Sequence, residues 1–399
     1  MRNLVLASRN HVAKLYRGVR RRYRCGAKLT SEAGKSVRGK LRHDIAIGRE
    51  TAQDGYRVAV RATRSVRRLN EQWWSRLQRE IEASRHLRKA ARGSEPIIVG
   101  PWLSEVGYEA LYWIPFLRWV CDRHRIDRSR LVVVSRGGVG GWYHELSDRY
   151  VELFELFAPG EFVSLNATRY ASGDQKQHAI SAFDADIIAR VRERHDLRSA
   201  GVCHPSVMFR LLRQFWLGNE SLDYVQRHLV YGAVSPPVVT VPPLPERFTA
   251  VKLYTGKALP DTPENRRLLG ALVERLAAKG PVVTLDVGVS FDEHEDYRFR
   301  DMPNVTSAAE WLTPANNLAV QTEVIRRAER FVGTCGSITW LAPLIGTPTV
   351  AVYSDDEFLG PHLYAARAAY RSMSAAAFAP VDLRALAHID LLELGKATG

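Results

Sequence analysis

A chain of 399 residues, 46% hydrophobic and 25% charged, has a globular composition and is long enough for more than one core, which excludes a fibrous or wholly disordered protein. No apolar run approaches the roughly 20 residues that span a bilayer. The scattered Cys25, Cys121, Cys203 and Cys335 form no CxxC pair, which argues against a disulfide framework or a zinc site and fits a reducing cytoplasmic setting.

The net charge of +14 is unevenly placed. Residues 1–95 hold 25 Lys and Arg against 8 Asp and Glu, a net of +17, and the remainder carries −3. The opening MRNLVLASRNHVAKLYRGVRRRYR has no long apolar core or small-residue cleavage site, so no secretory signal is read; its arginines and scarce acids suit an organelle transit peptide as a second reading. About the first fifty residues lack a period and are expected to be poorly ordered. From Tyr56 to Ala91 the pattern turns helical: Ala62, Val66, Leu69, Trp73, Leu77 and Ile81 recur at steps of three or four among arginines. Such a stripe docks on the protein's own body or, with Trp73 and Trp74, lies on an anionic membrane surface. Beyond charge there is no sign of specific nucleic-acid recognition.

Residues 96–240 read as a first α/β domain. Ile97–Val99 is a strand ended by Gly100-Pro101, and Glu109–Val120 a buried helix kinked at Pro115. Leu131–Ser135 is a second strand leading into the loop Arg136-Gly137-Gly138-Val139-Gly140-Gly141-Trp142. Phe162–Leu165 is expected as a third strand, with helices at Asp184–Arg194, His204–Phe215 and Leu222–Leu229. Five prolines between Ser235 and Pro245 mark a stiff linker into a second α/β domain at 241–399.

That domain restarts with a strand at Phe248–Tyr254. A helix follows from Thr262 as N-cap and Pro263 through Ala278, then a strand at Val282–Val287, an extended piece at Asn304–Ser307 and a helix at Asn316–Arg330. The most informative stretch is FVGTCGSITWLAPLIGTPTVAVYS, residues 331–354. It reads as strand, small-residue turn, helix and second strand. The turn leaves the N–H groups of Gly336, Ser337 and Ile338 at a helix start, where a diphosphate can bind; the plainer alternative is a tight turn in which nothing larger fits.

This stretch resembles the last phosphate-binding unit of GT-B glycosyltransferases, and most closely the carboxyl-terminal domain of bacterial lipopolysaccharide heptosyltransferases and O-fucosyltransferase-like enzymes. The resemblance spans residues 248–354, weakens over 96–240 and is absent before them. It implies an α/β fold of two Rossmann-like domains behind a basic, partly helical extension. It also implies a nucleotide sugar on the second domain, a glycan or lipid-linked acceptor on the first, and transfer in the cleft between them. No cofactor or metal is expected, and the setting is the cytoplasmic side of a cell envelope, peripheral to the membrane.

Open α/β sheets bind ligands beyond the carboxyl ends of their strands, so the loops after Val99, Ser135, Tyr254 and Val332 are the candidates. For the donor these offer Thr334, Cys335, Gly336, Ser337 and Ile338, with Lys252 and Lys257 flanking Thr255-Gly256 as cations for the diphosphate. Lys252 otherwise snorkels from its strand end. Glu310 is placed to accept from ribose hydroxyls, or is a surface residue; Glu323 reaches the same pocket or pairs with Arg326 or Arg327. A general base for the acceptor hydroxyl is sought in SEVGYE, where Glu105 is preferred to the helix-borne Glu109; either can instead cap the helix. His144 and Asp148 are the alternative pair.

Asp184-Ala185-Asp186 spells a DxD metal motif, but it precedes a helical run and reads as a cap, and the acidic run Asp292–Asp296 reads as a solvated loop. GGVGG lacks the GxGxxG spacing, and there is no GxxxxGK[ST], HExxH or GxSxG. The sequence therefore predicts a metal-independent glycosyltransferase. A sugar-nucleotide epimerase or hydrolase of the same fold, or a non-catalytic binding protein, is the alternative.

Overall fold

The computed structural model describes residues 74–173, 176–287, 294–299, 302–373 and 375–388. The chain divides into two units, Met1–Leu77 and Gln78–Gly399; the first helix crosses that boundary, and the sheets and cleft below all lie in the second. Of the amphipathic stripe, Ala62, Val66, Leu69 and Trp73 lie outside the described residues. A helix, α1, covers residues 74–91. Its later turns bury Ala83 and Leu87, whereas Ile81 is exposed, so this end docks on a face displaced from the one the stripe predicts.

Two parallel sheets make the chain α/β with two Rossmann-like halves. The first contains β1 (Ile97–Val99), β2 (Leu131–Ser135), β3 (Tyr150–Glu152) and β4 (Gly201–Cys203) in the order β3-β2-β1-β4. The second contains β5 (Thr249–Lys252), β6 (Val282–Thr284), β7 (Val305–Ser307), β8 (Arg330–Thr334), β9 (Thr349–Tyr353) and β10 (Phe378–Asp382) in the order β10-β9-β8-β5-β6-β7. All pairings are parallel. Read from β7, the second sheet has the 3-2-1-4-5-6 order of a doubly wound fold, and its direction reverses between β5 and β8. In the first sheet the reversal falls between β1 and β4.

The helix after β1 begins at Val106–Tyr108, widens into a π turn at Glu109–Trp113 and continues as α2 (Ile114–His124). Pro115 has no N–H for the regular ladder, and the widened turn directly before it is the expected accommodation. The expected strand at Phe162–Leu165 is instead part of helix α3 (Pro159–Ala171), which opens with proline in its first turn; the third strand is the three-residue Tyr150–Glu152. A short apolar run does not distinguish a strand from a half-buried helix turn. Helices α4 (Ala182–Arg194), α5 (Ser206–Trp216) and α6 (Leu222–Gln226) follow. In the second half α7 (Pro263–Ala277) starts at Thr262, whose hydroxyl accepts from Asn265 N, and α8 (Asn317–Arg327) ends before Arg330, which opens β8. The helix expected after Ser337 is two 3₁₀ turns, Ser337–Trp340 and Ala342–Ile345, because Pro343 cannot donate into an α ladder and Gly346 ends the run at φ +89°.

One hydrophobic core runs through both halves, from Ile97, Trp113 and Phe209 to Phe331, Leu341 and Ala366. The glycine-rich loop after β2 is one joint. A Cβ on Gly137 would fall 2.9 Å from Leu318, and one on Gly138 3.0 Å from Ala319, while Gly137 O accepts from Ala319 N at 2.9 Å. Its free N–H groups are already used: Gly137 and Gly138 both donate to the Glu152 carboxylate, at 3.1 and 2.8 Å. The loop after Ser135 is thus a packing element for α8. A second joint is helix α9 (Gly360–Met373), whose His362 meets Tyr108 and Tyr112 of the first half.

Candidate functional site

A cleft of about 390 Å³ opens where the carboxyl ends of β1, β5 and β8 converge. One wall carries Glu105, Tyr108, Tyr170, Lys176 and Trp216 from the first half. The other carries Gly256, Lys257 and His294 with the turn Thr334 to Ser337.

The turn is built from β8 outward. Thr334 clamps it to β5: its hydroxyl accepts from Tyr254 N at 2.9 Å and donates to Tyr254 O at 3.0 Å. Cys335 N donates to Val352 O, and burial pushes the Cys335 thiol up to about 12, so it is a space-filling thiol and no nucleophile. Gly336 follows at φ +152° and Ser337 at φ +44°. A Cβ on Gly336 would lie 2.7 Å from the Tyr254 hydroxyl, so glycine is required by space as well as by backbone angle. The N–H groups of Gly336, Ser337 and Ile338 have no acceptor among the described residues. Since only short 3₁₀ turns follow, oriented N–H groups rather than a long helix dipole are what the turn offers an anion.

The facing wall is set by the loop after β1. Glu105 caps the first turn with its carbonyl, which accepts from Tyr108 N and Glu109 N, leaving its side chain outside the helix. The Glu105 carboxylate pairs with Lys176, whose ammonium lies 3.9 Å from the Tyr108 ring centroid. Partial withdrawal from water at the cleft wall raises the Glu105 carboxyl, but Lys176, by charge and hydrogen bond, and then His294 hold it below the ordinary carboxylate value. Glu105 is therefore ionised at neutral pH. His362 hydrogen-bonds Tyr112 through Nδ1 (2.9 Å) and Tyr108 through Nε2 (3.3 Å). Burial first, and then Lys176, lowers it to about 4 against the opposing charge of Glu105, so the ring is neutral and one tyrosine donates while the other accepts. The walls touch behind the cleft: a Cβ on Gly107 would fall 3.0 Å from Ser337 N.

The structure thus brings together Glu105, Gly256, Lys257, Thr334, Cys335, Gly336 and Ser337. It places the other candidates elsewhere. Lys252 donates to Leu285 O at 2.7 Å and Asp296 at 2.8 Å, stitching β5 to the next loop. Thr255 exchanges backbone and hydroxyl bonds with Glu295, Glu310 is exposed after β7, and Ile338 is buried in the core. Glu323 pairs with both Arg326 and Arg327. His144 and Asp148 are exposed, with Asp148 bound by Arg128.

Glu109 is fully buried behind the cleft, where Oε1 accepts from Ser135 Oγ at 2.7 Å and Tyr143 OH at 2.5 Å. Burial raises its carboxyl to about 7 against those bonds. Its protonated form suits the fold, so its contribution to stability is full below the unfolded carboxyl value and is lost as pH rises through about 7.

Asp184 forms a reciprocal cap with Ser181, and Asp186 pairs with Arg190. Asp292 and Glu293 lie outside the described residues, while Asp296 is the partner of Lys252. Among the described residues no cluster of three or more His, Cys, Asp or Glu is arranged to hold a metal, and no helix is long and apolar enough to cross a membrane. Sequence reasoning missed Lys176, Tyr108, His294 and His362.

No family model matches the sequence, and no curated protein does. Among solved structures the chain is similar to ADP-heptose LPS heptosyltransferase II of E. coli, at 13% identity and a TM-score of 0.37 over 67% of this chain and 88% of that one. It is similar to the glycosyl transferase family 9 from Veillonella parvula at 14% identity and a TM-score of 0.36, over 76% and 88%. For S. aureus MnaA with UDP the values are 10% and 0.27, over 65% and 79%. Identities and scores this low leave function to be argued from the cleft itself.

Proposed function

We propose that the protein is a glycosyltransferase that moves a sugar from a nucleoside-diphosphate donor to a hydroxyl of a glycan or lipid-linked acceptor. The observation that carries this is one cleft with two chemistries on opposite walls. At the switch point of the second sheet, the open N–H groups of Gly336 and Ser337 and the Lys257 ammonium suit a diphosphate. Across from them stands Glu105, ionised and reachable from the cleft, its side chain 41% exposed.

In the reaction the acceptor oxygen forms a bond to the anomeric carbon as the bond from that carbon to the diphosphate oxygen breaks. The leaving diphosphate takes the electron pair, and its charge is met by the N–H groups of the turn and by Lys257. Glu105 accepts the proton of the attacking hydroxyl. Lys176 has two effects on that step: it keeps Glu105 deprotonated, and by lowering its basicity it limits how strongly the proton is drawn. The reaction is assigned no metal.

The test is release of nucleoside diphosphate from a panel of donor sugars, with and without glycan acceptors, in the presence and absence of EDTA. Transfer predicts release that depends on an acceptor and survives the chelator. Release independent of any acceptor would instead indicate hydrolysis or epimerisation, and loss of activity restored by Mn²⁺ or Mg²⁺ would contradict the metal-free assignment.

A further inference from the structure

The first sheet's own switch point is filled from within by a buried polar network. Gln177 is fully buried. Its Oε1 accepts from Leu103 N at 3.0 Å, and its Nε2 donates to Pro101 O at 2.9 Å and to Asp184 Oδ1 at 2.8 Å. Turning the amide over would set oxygen against two acceptors and nitrogen against a donor, so its orientation is fixed. Asp184 is itself held: Oδ2 accepts from Ser181 N at 2.8 Å and Ser181 Oγ at 2.6 Å, and Oδ1 faces His204 Nε2 at 3.3 Å. His204 Nδ1 accepts from Ser206 N at 3.1 Å, which leaves its proton on Nε2, toward Asp184. Burial raises the Asp184 carboxyl, but the nearby His204 and the bonds from Ser181 bring it below its ordinary value, so the anchor is an anion.

This network joins two segments that matter to the cleft. Leu103 lies two residues before Glu105, and Gln177 directly follows Lys176. Gln177 also sits at φ +35°, a backbone angle a non-glycine residue keeps only where its surroundings enforce it. We propose that Gln177 is a positioning residue for transfer: by tying the segment that carries Lys176 to the loop that carries Glu105, it holds the lysine against the carboxylate. The proposal rests on the reading of Glu105 as the base. The groups acting on Glu105 are Lys176, Tyr108, His294 and His362; of these His362 is neutral, and Lys176 is the cation in hydrogen-bond contact. Displacing Lys176 therefore removes the principal influence keeping that carboxyl low.

The experiment is a carbon-detected NMR titration of the Glu105 carboxyl in the intact, substrate-free protein, assigned by its loss in Glu105→Gln. The Gln177→Leu variant, close in size but unable to hydrogen-bond, should raise the midpoint to or above the ordinary glutamate value of about 4.3, since burial then acts largely unopposed. Lys176→Met should do the same, and the double variant should move it no further than Lys176→Met alone. In turnover, Gln177→Leu should cost up to about 10²-fold in kcat and shift the acid limb of kcat/KM to higher pH, with nucleotide affinity unchanged. Should Gln177→Leu fail to fold, Gln177→Asn, which keeps the amide one methylene short, gives the same comparison. A folded Gln177 variant whose Glu105 midpoint is unchanged, or shifts that add in the double variant, would overturn the proposal. A raised midpoint in a protein whose Glu105→Gln form remains active would leave the positioning role standing and remove the base.

Discussion

Replacing Glu105 with Gln is expected to lower turnover by about 10²–10⁴-fold while leaving the affinity for the donor nucleotide nearly unchanged. The substitution keeps the shape of the side chain and an oxygen for Lys176 to reach, so the cleft wall should survive. What it loses is proton acceptance. The wild-type pH profile carries a second expectation. Because Lys176 holds the carboxyl low, kcat/KM should remain high as pH falls to the ordinary glutamate range and decline only below it. Titrating the rates of wild type and Glu105→Gln side by side checks both. Near-native turnover in the variant would move the role to another group.

The second large effect is expected at the turn. Gly336→Ala should abolish detectable donor binding, read by isothermal titration, while the fold is retained. The added Cβ would sit 2.7 Å from the Tyr254 hydroxyl, so either that hydroxyl or the turn must give way. An L side chain also disfavours φ +152°, so the turn relaxes and its N–H groups shift with it. Removing the hydroxyl with Tyr254→Phe relieves the contact but not the backbone angle, so the double variant should recover binding only in part. Native affinity in Gly336→Ala would show that these N–H groups do not hold the ligand.

The strands that carry the site were legible because they are short apolar runs stopped by glycine or proline. Ile97–Val99 ends at Gly100-Pro101, and Thr349–Tyr353 begins after Gly346-Thr347-Pro348. The missed strands have weaker signatures: Gly201–Cys203 is only half-buried, and Phe378–Asp382 contains a proline. The turn at Thr334 to Ser337 was readable as a turn because its geometry is local to a few adjacent small residues. Lys176 was not, since it stands 71 residues from Glu105 in a stretch without periodicity. His362 lies on α9, a helix the sequence did not announce. Lys252 shows the converse: its place at the end of an apolar strand was correctly read, but its partner Asp296 is 44 residues away, and only the folded chain shows the ammonium committed there.

The most direct test of a nucleoside diphosphate at the β5–β8 switch point is a set of melting curves of the intact protein with UDP, ADP, GDP, CDP and dTDP, each compared with its nucleoside. At a hundredfold excess over its dissociation constant the cognate diphosphate should stabilise the protein by about 2.7 kcal/mol, and the nucleoside, which lacks the anion, by much less. No shift with any of these diphosphates, or an equal shift with the bare nucleoside, would contradict the assignment of the turn as a diphosphate cradle.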